Sequence, residues 1–220
     1  MSLRRYKYGP RMRNRFYRYK RRPLRRRVRF RRKKTNALNV KLTRTIQVSS
    51  NAKTGGIYSL HQTLDQFSEF KNLAPNFEYV KINKVRVRVY PQQNVANNTT
   101  SRVTNYALVP YHRPVVQPTV PNFPTCLSID KAKVRRMTSV GQMNFVPTVR
   151  VAVDRGAGET TLAQPVWRPQ LDIASSAATE ILYCGFLSFE GDSTLSTDQP
   201  VNFTVVVDCY VVFKIQRAFI

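Results

Sequence analysis

Of the first 34 residues, 18 are arginine or lysine: Arg4, Arg5, Lys7, Arg11, Arg13, Arg15, Arg18, Lys20, Arg21, Arg22, Arg25, Arg26, Arg27, Arg29, Arg31, Arg32, Lys33 and Lys34. Each guanidinium presents a planar fork of N–H donors that matches phosphate oxygens, and each ammonium adds a compact positive charge. Six aromatic residues, Tyr6, Tyr8, Phe16, Tyr17, Tyr19 and Phe30, are interleaved with them, and their rings can stack on unpaired bases. This pattern is the chemistry of holding single-stranded nucleic acid without sequence choice. A nuclear-import tail or a histone-like duplex binder would use the same residue types, and import and packaging can share them.

Little else in the chain has the types and spacing that chemistry needs. His61 and His112 are the only histidines, and each is far in sequence from any cysteine or acid pair, so a structural role is expected for both rather than a metal site or a catalytic triad. There is no Walker loop, no Gly-x-Gly-x-x-Gly and no acid cluster suited to metal-assisted phosphate chemistry. The chain reads as a non-enzyme with no cofactor and no metal. Two weaker basic groups remain. Lys84, Arg86 and Arg88 alternate along one strand face, and Lys131, Lys133, Arg135 and Arg136 form a second cluster. Nucleic acid or an acidic cell-surface glycan could bind there, although a solvated or inter-subunit face is the plainer account. The Asn-x-Thr matches at Asn97, Asn98 and Asn202 are read as chance.

The elements that must carry these groups divide the chain at Thr35. The net charge is +25, from 37 basic and 12 acidic residues, and the first acid is Asp65. The 19 basic residues after Lys34 face all 12 acids, so the remainder carries only +7. Residues 1–34 have almost no aliphatic material and are interrupted by Pro10 and Pro23. Such a segment cannot bury a core, and it is expected to be disordered until it binds. Residues 35–220 are of a length for one domain. Cys126, Cys184 and Cys209 are odd in number, widely spaced and in apolar surroundings, which fits buried, reduced thiols. The basic start lacks the apolar core of a signal peptide, and Asp208 interrupts the most apolar late stretch, Val205 to Phe213. Neither secretion by that route nor membrane insertion is expected.

After Thr35 the apolar period becomes two. Leu38, Val40, Leu42, Ile46 and Val48 alternate with Asn39, Lys41, Thr43, Thr45 and Gln47, the signature of a half-buried strand. Arg44 breaks the apolar face, which suggests a sheet edge or an acidic partner. Thr63 and Gln66 could form a capping box for a short helix with Leu64 and Phe67 on one face, stopped by Pro75. From Phe77 to Tyr90, Val85, Val87 and Val89 have one parity and Val80 and Ile82 the other, so a bulge is expected near Asn83. Further strands are expected over Val103–Val109, Val134–Val140, Asn144–Val153 and Glu180–Phe189, with long loops over Pro91–Arg102 and Arg155–Thr179. In the last run Val201, Phe203, Val205, Val207, Cys209, Val211, Phe213 and Ile215 are all odd-numbered, which specifies one register. Seven or eight such strands, with no internal repeat and no long helix, predict an all-β sandwich of the jelly-roll type.

Three segments together with the arginine-rich start resemble the capsid proteins of circoviruses and cycloviruses. They are Leu38-Asn39-Val40-Lys41-Leu42-Thr43-Arg44-Thr45, Phe77-Glu78-Tyr79-Val80-Lys81-Ile82-Asn83-Lys84-Val85-Arg86-Val87 and Val207-Asp208-Cys209-Tyr210-Val211-Val212-Phe213. The resemblance implies a jelly roll of about eight strands, sixty-copy icosahedral assembly, a packaged circular single-stranded DNA genome and nuclear import through the arm. Its implied partners are therefore that genome, further copies of the chain, nuclear import receptors and a host cell-surface receptor or glycan. Its implied locations are the virion and, during assembly, the host nucleus. The loops between Asn94 and Ala178 do not match, so no receptor site is carried over. If the first and last strands lie side by side, as the family analogy implies, Lys41 and Lys214 become candidate inner-wall contacts to nucleic acid. Composition alone also allows a cellular RNA-binding or ribosomal-type protein, but the modest charge of the body favours the shell reading. Because Ile181 to Phe189 is apolar on both faces, one of those faces is expected to meet another copy.

Overall fold

The structure, a computed structural model, describes residues 37–92, 104–113, 122–153, 162–175, 177–194 and 200–217. The basic segment 1–34, with its expected disorder and phosphate contacts, lies outside the described residues, as do Asn97, Asn98 and Val103.

The two longest alternating runs form the longest strands. They are β1 (Ala37–Asn51) and β11 (Pro200–Gln216), joined by β3 (Phe77–Pro91). β11 lies antiparallel between β1 and β3, and β6 (Gly141–Phe145) closes the sheet on the far side of β3 in the order β1-β11-β3-β6. The short β9 (Gln170–Asp172) also pairs with β3, beyond the end of β6. The second sheet has the order β2-β10-β4-β5, from β2 (Gly56–Ser59), β10 (Gly185–Phe189), β4 (Asn105–Pro110) and β5 (Lys133–Arg136). First and last strands side by side, with the chain crossing repeatedly between a five-stranded and a four-stranded sheet, make this a jelly roll. β7 (Thr148–Val153) and β8 (Leu162–Trp167) form a separate antiparallel pair.

Between the sheets lies one core. Leu42 and Val48 from β1, Val85, Val87 and Val89 from β3, and the odd-numbered residues from Val201 to Phe213 on β11 meet Tyr106, Leu108, Leu187 and Phe189 from the second sheet. The bulge falls at Asn83: Tyr210 pairs with Lys84 and Val211 with Ile82, so Asn83 is the extra residue. It switches the parity of β3 and keeps Val80 and Ile82 in the core, both fully buried.

Elsewhere the expectations needed correction. The run Val134–Val140 is not one strand, because the chain turns at Met137–Ser139, where the Ser139 amide donates to the Arg136 carbonyl, and then changes sheet. Asn144–Val153 is likewise two strands, separated at Val146 and Pro147, since proline cannot donate to a ladder. Only Gly185–Phe189 of Glu180–Phe189 is a strand; Leu182 and Tyr183 form single bridges to Gln62 and Thr148, two different neighbours. β8 and β9 lie within the stretch read as a loop from Arg155 to Thr179, and β2 and α2 (Phe123–Leu127) were not expected. Near Thr63, a 3-10 turn precedes α1 (Ser68–Leu73), and Thr63 makes no side-chain cap. The Gln66 amide oxygen instead accepts from Arg44 Nη1, which also donates to Gln62 Oε1 at 2.9 Å. Arg44 thus sits on an edge strand, as one reading held, but its partners are neutral amides. The α-helix ends at Leu73, just before Pro75 as expected, and Pro75 itself lies inside a second 3-10 turn, Ala74–Asn76. Ile215 leaves the apolar face, being 50% exposed with a φ of 54° at the strand end.

The two central strands of the second sheet, β10 and β4, are buried on both sides. Their outer face, with Ala107, Val109 and Phe186, is covered by Cys126 of α2 and by Phe123, Ile129 and Ala132. The apolar run at β10 is therefore hidden inside one chain: Phe186 and Leu187 are buried, while Tyr183 is partly so. That run no longer argues for contact with another copy.

Candidate nucleic-acid interface

The outer face of the β1-β11-β3-β6 sheet is the opposite case. Register alone sets its residues in rows. Lys41, Tyr210 and Lys84 lie directly opposite one another across β1, β11 and β3. Beside that row run Thr43, Asp208, Arg86 and Asn144, and then Thr45, Val206, Arg88 and Gln142. On the other side of the bulge come Asn39, Val212, Lys81 and Gln170, followed by Ala37, Lys214, Tyr79 and Asp172. Because the bulge changes parity, cations from both halves of β3 share this face. Without it, Lys81 would point into the core.

Asp208 organises the charges. Its carboxylate is buried, accepting from Thr43 Oγ1 at 3.0 Å and from Arg88 Nη2 at 2.9 Å. Arg88 Nη1 also donates to the Tyr90 hydroxyl at 3.4 Å. Arg86, although directly opposite Asp208, donates from Nε to Asn144 Oδ1 at 3.3 Å. Lys84 Nζ stands 4.4 Å from the centroid of the Tyr210 ring, with Arg86 Cζ at 5.7 Å. Among the described residues Lys41, Lys84 and Arg86 make no ion pair. Three uncompensated cations around one aromatic ring can hold phosphate oxygens and offer a base a surface to stack on.

Lys41 and Lys214 both lie on this face, as their parity required, and the strands that carry them are neighbours. Lys214 Nζ donates to Gln170 Oε1 at 2.6 Å. Arg4 to Lys34 lie outside the described residues. Lys84 and Arg86 join Lys41 in one cluster, while Arg88 belongs to the Asp208 pair. Lys133, Arg135 and Arg136 are on β5, at the edge of the other sheet, and Lys131 is next to its own ion-pair partner Asp130 at 3.9 Å. Sequence reading did not single out Tyr210 or Asp208. The usable signal was their parity: both stand opposite the apolar set of β11 and face the basic residues of β3.

The three cysteines are buried, with no disulfide among them. Burial pushes the Cys184 thiol up to about 12, and burial and the nearby Cys184 raise Cys209 further. Among the described residues no three His, Cys, Asp or Glu side chains gather in a metal-binding group, and no helix is long and apolar enough to cross a membrane.

The Circovirus capsid protein family model matches residues 4–217. The capsid protein of Human associated cyclovirus 1 is 33% identical over 193 residues, covering 86% of this chain and 87% of that one. A crystal structure of the 60-mer BFDV capsid protein superposes with a TM-score of 0.60 at 16% identity, covering 86% of this chain and 98% of that chain, a likeness of fold. These matches set aside the cellular RNA-binding reading. Jelly roll, sequence family and relative converge: the chain belongs to the circovirus capsid protein family.

Proposed function

We propose that this viral capsid protein assembles into a closed icosahedral shell of sixty copies and packages single-stranded circular DNA through residues 1–34. The observation that carries the reading is the charge distribution: 18 basic residues lie within residues 1–34, and the first acid is Asp65. The BFDV relative, whose 60-mer structure shares the fold, supports the shell geometry by analogy. Sixty arms would bring on the order of a thousand positive charges, enough to neutralise on the order of a thousand phosphates by counterion release. The division into a basic arm and a jelly-roll body starting at Thr35 follows from the same charge boundary. The arm also serves nuclear import, which places the protein in the host nucleus before it enters the virion.

Lys41 and Lys214 act with Lys84 and Arg86 as the fixed part of the nucleic-acid surface, so the outer face of β1-β11-β3-β6 becomes the inner wall of the shell. This assignment rests on the cations without ion-pair partners around Tyr210. Deleting residues 1–34 tests the main claim. Circular dichroism should show an intact β domain, and recovered particles should lose most of their absorbance at 260 nm relative to 280 nm. Particles filled to the full-length level would move the packaging charge to the sheet face.

A further inference from the structure

The chain's two histidines both engage Tyr183, His61 through the tyrosine ring and His112 through the tyrosine backbone. The His61 ring, just after β2, meets the Tyr183 ring edge-on with centroids 4.7 Å apart. The His112 ring, just after β4, meets the Trp167 ring edge-on at 4.4 Å. Thr148, fully buried at the start of β7, ties these contacts together. Its amide donates to the Tyr183 carbonyl at 3.0 Å, its carbonyl accepts from the Tyr183 amide at 2.8 Å, and it pairs with Trp167 across the β7–β8 ladder.

Each imidazole is equipped to be neutral. His61 Nε2 and His112 Nδ1 are buried with no hydrogen-bond partner, while the backbones of Arg113 and Tyr183 are within hydrogen-bonding reach of His61 and His112 respectively. A neutral imidazole has one N–H, which needs an acceptor partner, and its second nitrogen is only an acceptor. On protonation that nitrogen becomes an N–H donor in a place with no acceptor, which is costly when buried. Counter-charge is scarce as well. Among the described residues, Arg113, Arg150, Arg168 and the acid Glu180 lie on the adjoining segments, Asp65 after His61 is paired with Lys71, and Arg44 reaches Gln62 from β1. Burial, outweighing the backbone contacts, lowers both pKa values from 6.5.

We propose that His61 and His112 form a proton-operated latch that holds the β7–β8 pair against the domain when neutral and releases it on acidification. The element released is the exposed one: Gln164 to Arg168 of β8 and its end are all exposed, Trp167 by 52%. The direction follows from linkage. An open state that hydrates the rings binds protons more readily than the closed state, so closure is fully stable above about pH 6.5 and weakens as pH falls below it.

Trp167 is the only tryptophan, so its fluorescence reports the latch in the full-length protein. Between pH 8 and 5 the emission should change cooperatively, with a midpoint below 6.5. His112→Phe and His61→Phe keep a ring in place without a proton site, and the double variant should stay flat over this range. A transition that survives in the double variant, or a wild-type profile without one, overturns the proposal. Should the variants fail to fold, amide exchange in the wild-type protein decides the matter. Protection at Thr148 and Tyr183, corrected for the intrinsic rate, should fall at least tenfold between pH 7 and 5.5. Unchanged protection would rule out the latch.

Discussion

The two sheets of this jelly roll share a core on their inner faces and differ in how their outer faces are finished. Beyond β4 and β10 the chain lays down α2 and the turn after it, so Ala107, Val109 and Phe186 are sealed in a second, small apolar cluster. Beyond β11 and β3 nothing described covers the sheet, and Lys41, Lys84, Arg86 and Tyr210 remain on its surface. Strand composition follows directly. β10 is buried at all its positions, whereas β11 alternates buried and less buried residues for most of its length. Strict alternation thus marks one-sided burial, and its loss marks a covered sheet.

The largest effect should come from the core that both sheets share. Phe203 of β11 is fully buried against Phe189, at 4.9 Å between centroids, and Tyr106, at 5.7 Å. Phe203→Ala should cost about 3–5 kcal/mol in denaturant unfolding. On the covered face, Phe186 contacts Tyr111 edge-on at 5.7 Å, within a cluster small enough to relax. Phe186→Ala should cost about 3 kcal/mol, near the low end for such a truncation. A loss below about 1 kcal/mol would mean the cover is not a real second core. On the open face the largest structural cost should be at Asp208. Asp208→Ala leaves Arg88 and Thr43 without their acceptor and should cost about 2 kcal/mol, with Asp208→Asn recovering part of it. A neutral outcome for Asp208→Ala would show that the open face has no buried polar anchor.

The same contrast explains which features were legible in the sequence. β1, β3 and β11 could be read because each buries one face, so period two appears directly, and even the bulge at Asn83 showed as a parity change between Ile82 and Val85. β10 could be found but not bounded, because burial on both faces erases the period that would mark where its ladder begins. The runs around Val134–Val140 and Asn144–Val153 were merged because apolar content continues through points where the chain changes partner strand. The candidate site was half legible. Lys41 and Lys214 followed from parity, but the cluster around Tyr210 depends on which residues stand opposite across three strands, and register is a property of pairing rather than of any one segment.

The smallest stability effect, and the one that most sharpens the contrast, belongs to the lysines beside Tyr210. Lys41 and Lys84 occupy one row on either side of the ring, and neither has an ion-pair partner among the described residues. With Lys81 and Arg86 on neighbouring rows, their mutual repulsion offsets what little the packing of their stems contributes. Lys41→Ala with Lys84→Ala should therefore change unfolding stability by no more than about 0.5 kcal/mol. Binding should respond differently. Each phosphate contact to a single strand contributes about 0.7 to the slope of log affinity against log salt. If both lysines contact phosphate, the double variant of the full-length chain should have a slope shallower by about 1.4 in an anisotropy titration against single-stranded DNA. A loss of stability comparable to that of Asp208→Ala would make the open face structural rather than available. An unchanged slope in a stable variant would confine nucleic-acid binding to the basic arm.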